Sequence, residues 1–240
     1  MVLSTLPPLG TKGSPKKTDR SVKYGGLAYV KISAVPMDLT PYLNPTSTAV
    51  VTLEVQENLL LPRSAMIPGL AAHATSIGLI DRLGRLFESA RRVGVRVLYV
   101  TDQRRPDGVG AANNEMVGRA ISGDRRSGHG PIVAPLTPHD EDISIEREHG
   151  MTGFYTTPLD AYLRNLGVKT VVLTGVSANI AVNGTAIEAM NLGYRVIVPS
   201  DCIAGDPPEY VEQLLRYTIR NVALVAPVKG ILDYWDALPV

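Results

Sequence analysis

The stretch from Val168 to Pro199, VKTVVLTGVSANIAVNGTAIEAMNLGYRVIVP, leaves this chain few folds to choose from. Val168–Thr174 is a β-branched apolar run of the kind that suits a strand buried on both faces of a parallel sheet. Gly175 breaks the run. Ile180, Ala181, Thr185, Ala186, Ala189 and Met190 then fall on one helical stripe, and Gly193 sits where a residue free to take a positive φ stops a helix. Tyr194–Pro199 returns as the next strand. In an open α/β sheet the ligand crevice lies beyond the carboxyl ends of the strands. That rule places Gly175–Ala181 at the rim of any site.

The rest of the chain repeats the theme. Ala49–Val55 reads as a first strand with Glu54 near its end. Ser76 can cap a helix carrying Ile77, Ile80, Leu83, Phe87 and Ala90 at three- and four-residue spacing, with Gly94 as its stop. Val95–Thr101 is a second buried strand before Asp102, and Asp142–Glu146 a third. Between them Gln103–Asp140 is glycine-containing, charged and aperiodic, as expected of a lid or binding element. Thr157-Pro158 opens a helix with Leu159, Leu163 and Leu166 on its buried side and Gly167 at its end. Pro208–Asn221 reads as an amphipathic helix and Val222–Ala226 as a last strand. The order β-α-β-loop-β-α-β-α-β-α-β specifies an α/β fold with a mainly parallel, doubly wound sheet in a three-layer α/β/α sandwich.

Residues 1–45 differ in texture. Met1–Arg20 is rich in Pro, Gly, Ser, Thr and Lys, Leu27–Val35 can form a short strand, and Pro36, Pro41 and Pro45 punctuate the approach to a domain spanning residues 46–240. The segment reads either as a disordered lead-in or as an arm that wraps a neighbouring subunit.

Composition narrows function. In 240 residues, 45% are hydrophobic and 20% charged, enough for a full core. A net charge of +1 gives no reason to expect a nucleic-acid partner. No window approaches the roughly 18 apolar residues of a spanning helix, so no membrane partner is expected. The N-terminus has prolines where a signal peptide needs an apolar core, which points to the cytoplasm. The single cysteine, Cys202, excludes an intrachain disulfide framework and reads as a small core residue. His73, His129, His139 and His149 show no ligand spacing, and neither a metal nor a cofactor is expected.

The strand ends gather a polar set: Glu54 and Gln56 after the first, Asp102 after the second, Arg147 and His149 after the third, and Ser177 and Asn179 after the fourth. Singly, each suits a solvated loop start; together they suit a site. His149 is either a general base for water or an exposed loop histidine.

GVSANIAVNGTAIEAMNLGYRVIVPSD resembles the signature turn and helix of the isochorismatase-like (cysteine hydrolase) superfamily, which includes nicotinamidases, carbamoylsarcosine and biuret hydrolases, and isochorismatases. Gly175, Val176, Val182, Thr185, Ala186, Gly193, Tyr194 and Asp201 match that family's pattern in register. Ala178 replaces a Thr, and Ala181 stands where the family has its nucleophilic Cys. The resemblance implies a triad of Asp, Lys and Cys. VVTLEVQ puts Glu54 at the Asp position with Gln56 behind it. ISIEREHGMTGF offers Arg147 for the Lys when counted forward from Asp142, and Glu148 when counted back from Phe154; a cation belongs there. The resemblance further implies an oxyanion hole of the Ser177 and Ala181 backbone N–H groups, with a non-proline cis peptide before Ser177. Nicotinamidases carry an Asp-x-His metal motif after the second strand, where this chain has Asp102-Gln103-Arg104.

With no nucleophilic atom at position 181, the family's thioester route cannot run from it. Three readings remain open. One is a hydrolase of a small polar metabolite, cleaving an amide C–N or vinyl-ether bond by Cys-independent acid/base chemistry. In it Glu54 is the acid or base, Arg147 the orienting cation, and Glu54 or His149 activates water. Its substrate lies against Phe154 and Tyr155, with Gln56, Asp102 and Asn179 around it. The second is an inactive relative that keeps a metabolite pocket. The third is a Cys-to-Ala variant of a family amidohydrolase. Exchanges at the Asp and Lys positions as well favour natural divergence. The resemblance also implies a homo-oligomer, a dimer or a tetramer.

Overall fold

The computed structural model describes residues 38–104 and 130–239. The N-terminal arm up to residue 37, its expected strand at Leu27–Val35, and positions 105–129 of the expected lid lie outside the described residues.

Six strands form one parallel sheet: β1 (Thr48–Leu53), β2 (Arg96–Asp102), β3 (Ile143–Arg147), β4 (Thr170–Gly175), β5 (Arg195–Pro199) and β6 (Leu224–Ala226). Their order across the sheet is β3-β2-β1-β4-β5-β6. The chain winds outward from β1 in one direction and from β4 in the other, so β1 and β4 flank the topological switch point where such sheets bind ligands. Both strands are buried at all six positions, as the continuous apolar runs require.

Period-two alternation divides the core. Val50, Val97, Tyr99, Val172 and Ile197 face one layer, built from α2 (Pro68–Ser76), α3 (Leu79–Arg92) and α7 (Val228–Asp236) with the short α1 (Glu57–Leu60). Ala49, Val51, Leu98, Val100, Val171, Leu173, Val196 and Val198 face the other, built from α4 (Leu159–Asn165), α5 (Asn183–Asn191) and α6 (Pro208–Tyr217). The three-layer sandwich is therefore present. No helix of the described residues is long and apolar enough to cross a membrane.

Several local expectations are corrected. Ser76 ends α2 instead of capping α3: its hydroxyl donates back to the His73 carbonyl at 2.8 Å. Gly78, at φ +60°, makes the break, and α3 begins at Leu79. Ile180 and Met190 are exposed, although the 3.6-residue stripe placed them inside. The helix opens with a single π-turn over Ala178–Val182, closed by the Val182 N–H donating to Ser177 O at 3.0 Å. Ala181, Thr185, Ala186 and Ala189 are buried as the stripe placed them, and Ala178 and Val182 complete that face. Leu166 is likewise exposed. Helix α7 is an addition: its fully buried Trp235 donates Nε1–H to the Leu43 carbonyl at 2.9 Å. Leu39 and Leu43 thus join the core, and residues 38–45 pack as part of this unit.

Candidate active site

The site begins where β1 leaves the sheet. Leu53 pairs with Gly175 of β4, and the Val176 N–H donates to Leu53 O at 2.9 Å. The backbones approach so closely that a Cβ on Gly175 would overlap the Leu53 main chain; Gly175 also takes φ +100°. Only glycine fits both demands. One residue on, Glu54 adopts φ +53°, unusual outside glycine, and is held by its N–H donating to Val100 O at 2.8 Å. Such conformations cluster at functional positions. Here the turn frees Glu54 from the alternation of β1 and aims its side chain across the sheet edge.

There the Glu54 carboxylate meets Arg147. Nη2 of Arg147 donates to Glu54 Oε1 at 2.6 Å and lies 3.6 Å from Asp102 Oδ1. Arg147 is 2% exposed, and β2–β3 pairing sets it opposite Asp102. Glu148 is exposed, so of the two registers it is Arg147 that the strand delivers to Glu54. Arg104, read from the sequence only as spoiling a metal motif, completes the cluster: its Nε donates to Asp102 Oδ1 at 3.3 Å. The legible signal was its two-residue spacing from Asp102 at a strand end.

Burial pushes the Glu54 carboxyl above the usual range, and the nearby Asp102 charge adds to this. The Arg147 charge and hydrogen bond, and more weakly Arg104, oppose the shift without cancelling it. Glu54 thus holds its proton to higher pH than an exposed glutamate does, with the Arg147 cation beside it.

The turn after β4 supplies backbone donors. The Val176–Ser177 peptide is cis. The Ala178 N–H donates to Ala204 O at 2.7 Å, while among the described residues the Ser177 N–H reaches no backbone carbonyl. Ala181 is 2% exposed and presents only a methyl group.

Other expected site residues are placed elsewhere. Gln56 is fully buried: Nε2 donates to Gly130 O at 2.7 Å and Asp102 O at 3.2 Å, and Oε1 accepts the Asp102 N–H at 2.7 Å. With its amide fully engaged it braces β1, β2 and the Gly130 segment rather than touching substrate. Asn179 spans the turn to Asp206, donating Nδ2–H to Asp206 O at 2.7 Å and accepting the Asp206 N–H at 3.2 Å. Phe154 stacks on Tyr194 with centroids 6.1 Å apart, and so belongs to the packing against α4 and α5. Tyr155 is half exposed. His149 is half-buried and, among the described residues, makes no hydrogen bond or ion pair with Glu54, Asp102 or Arg147. Cys202 is fully buried, its thiol pushed far up by desolvation, and its carbonyl accepts the Gly175 N–H at 3.0 Å. No cluster of three His, Cys, Asp or Glu among the described residues could hold a metal ion.

This geometry has relatives. The chain is 28% identical over 192 residues to an uncharacterized isochorismatase family protein, YecD, of Escherichia coli O157:H7, covering 80% of this chain and 97% of that protein. It is 32% identical over 154 residues to the ureidoacrylate amidohydrolase RutB of Methylorubrum extorquens, covering 57% of this chain and 62% of that protein. Among solved structures, a cysteine hydrolase from Pseudomonas syringae superposes with a TM-score of 0.71 at 21% identity, over 82% of this chain and 95% of that one. The isochorismatase domain model matches residues 48–228, from the first residue of β1 to the first of α7, and the chain belongs to the isochorismatase family of hydrolases.

Proposed function

We propose that this hydrolase cleaves a small polar metabolite by direct addition of water, with Glu54 as the proton-transfer group and no covalent enzyme intermediate. The observation that carries this reading is the Glu54–Arg147 contact: a carboxyl only 13% exposed with a raised pKa, 2.6 Å from a buried cation, at the switch point of the sheet. Protonated Glu54 gives its proton to the group that must leave or become electrophilic. Water adds to the resulting centre, and its surplus proton returns to Glu54, so the carboxyl ends as it began. The Ser177 and Ala181 N–H groups suit a developing oxyanion because backbone donors do not depend on the side chain at position 181. Arg147 cannot act as a base, since a guanidinium keeps its proton; it holds charge and orientation.

A panel containing ureidoacrylate, simple N-carbamoyl amino acids and isochorismate tests the reading, because these span the amide and vinyl-ether bonds in question. Turnover of one of them by the wild type, lost in Glu54→Gln, supports it. Turnover that survives Glu54→Gln unchanged removes Glu54 from the chemistry. Tight binding of a panel member without turnover favours an inactive relative that keeps its pocket.

A further inference from the structure

One nitrogen of Arg147 faces two carboxylates. Nη2 lies 2.6 Å from Glu54 Oε1 and 3.6 Å from Asp102 Oδ1. Among the described residues Nε and Nη1 have no hydrogen-bond partner, and these two carboxylates are the only counter-ions the Arg147 charge has. A guanidinium cannot shed its charge, and a buried cation stripped of its counter-ion is costly. As the proton-transfer group, Glu54 is neutral in part of every cycle. In that part only Asp102 is left to hold Arg147.

Asp102 is fixed in place. Gln56 grips its main chain on both sides, accepting the Asp102 N–H at 2.7 Å and donating to the Asp102 carbonyl at 3.2 Å. Arg104 Nε donates at 3.3 Å to the same Oδ1 that faces Arg147. Asp102 therefore has two cationic neighbours, where Glu54 touches one. Among the described residues the charged groups that act on Glu54 are Arg147 from β3 and Asp102 and Arg104 from the end of β2. We propose that Asp102 is a positioning residue: it is the fixed counter-ion to which Arg147 turns when Glu54 takes up its proton, and from which Arg147 returns when that proton leaves. A move of less than about 1 Å at Nη2 brings Asp102 within hydrogen-bond range. This rests on the reading of Glu54 as the proton-transfer group and extends it. Two carboxylates that share a cation divide the work, and the one with more cations around it keeps its charge. Arg104 belongs to the same arrangement, because it competes with Arg147 for Asp102.

The test follows the side-chain carboxyl 13C resonance of Glu54 in the intact, glutamate-labelled protein, assigned by its loss in Glu54→Gln. Asp102→Asn leaves Arg147 to Glu54 alone, so the Glu54 titration midpoint is expected to fall by about one pH unit. Arg104→Gln frees Asp102 for Arg147 and removes a positive charge near Glu54, so the midpoint is expected to rise by about half a pH unit. Arg104→Lys keeps the charge and should restore it to within about 0.2 of wild type. A site merely loosened to water would lower the midpoint in both variants, so only opposite signs fit a shared cation. Where Arg104→Gln does not accumulate, a denaturation cycle takes its place. On the alkaline side of the Glu54 midpoint, Asp102→Asn is expected to lower the urea midpoint further in Glu54→Gln than in wild type, because Arg147 then has no other counter-ion. Any other pattern of midpoints, or equal losses in the two backgrounds, overturns the proposal. Opposite shifts with turnover indifferent to Glu54→Gln leave Asp102 as the second partner of Arg147 and remove the proton-transfer reading. Turnover lost in Glu54→Gln with both midpoints moving alike does the reverse.

Discussion

Glu54 at the end of β1 and Arg147 at the end of β3 are joined by a 2.6 Å hydrogen bond that passes over the end of the intervening β2. One strand, β2, lies between their backbones, so the contact is made by long side chains reaching along the sheet edge. A buried pair of this kind is weak evidence for stability, because desolvation offsets most of the attraction. Breaking one half, however, strands the other. Arg147→Met is therefore expected to lower stability by about 3–5 kcal/mol and to abolish turnover. Glu54→Gln keeps the shape and a hydrogen-bond acceptor, so its stability loss should be smaller while kcat falls by about 10²–10⁴. Chemical denaturation of both variants beside steady-state kinetics separates the two effects. A Glu54→Gln enzyme with wild-type kcat would sink the catalytic role.

The pH profile follows from the sign of the Glu54 shift. The folded state holds its proton to higher pH than the unfolded chain does. Glu54 therefore contributes most to stability below its unfolded pKa, and that contribution is lost as pH rises through the folded value. As a general acid it is active in the same protonated form, so kcat/KM is expected to fall on the alkaline side of the raised pKa. In Glu54→Gln this limb should disappear from whatever residual rate remains. An activity that instead rises with pH through this range assigns Glu54 as a base.

Ala181→Cys tests the missing thiol. The backbone turn is intact, but the groups that would deprotonate a thiol are a permanently charged Arg147 and a Glu54 whose carboxyl is paired with it. No acyl-enzyme is expected to accumulate on that cysteine in intact-protein mass spectrometry with an amide substrate, and amide turnover should not rise by more than about tenfold. A trapped thioester with new amidase activity would instead mean that this site needs only its sulfur.

Much of this site was readable because strand ends are readable. An apolar run that terminates in Glu54, Asp102 or Arg147 specifies both a strand and the edge at which its polar residue appears, and the parallel order then gathers them. The margins of the helical stripe were not readable: Ala181, Thr185, Ala186 and Ala189 are buried as their spacing requires, but Ile180, inside the π-turn at Ala178–Val182, and Met190, at the far end, are exposed. Gln56 and Asn179 were placed in the site by their position alone. Only coordinates show that main-chain groups from Gly130, Asp102 and Asp206 already occupy their amides. Helix α7 escaped for a different reason: its buried stripe, Val228, Ile231, Leu232 and Trp235, is one short run near the end of the chain with nothing local to show what it covers.

Gly175 and Trp235 separate the demands of the site from those of the fold. Gly175→Ala places a methyl group on the Leu53 main chain and forces an L-residue to φ +100°. Overpacking and backbone strain together are expected to cost about 3 kcal/mol or more. Because Leu53 precedes Glu54, the relief of that clash moves the Glu54 carboxyl, and on the proposed mechanism activity should fall further than stability explains. Trp235→Phe keeps most of the buried area but leaves the Leu43 carbonyl without its donor, at about 1–3 kcal/mol. Residue 235 lies in α7, away from the strand ends that carry Glu54 and Arg147, so kcat should stay within about twofold of wild type while the melting temperature drops. Thermal melts paired with kinetics on the two variants make the comparison. Equal loss of kcat per unit of lost stability in both would show that Gly175 acts only through the fold.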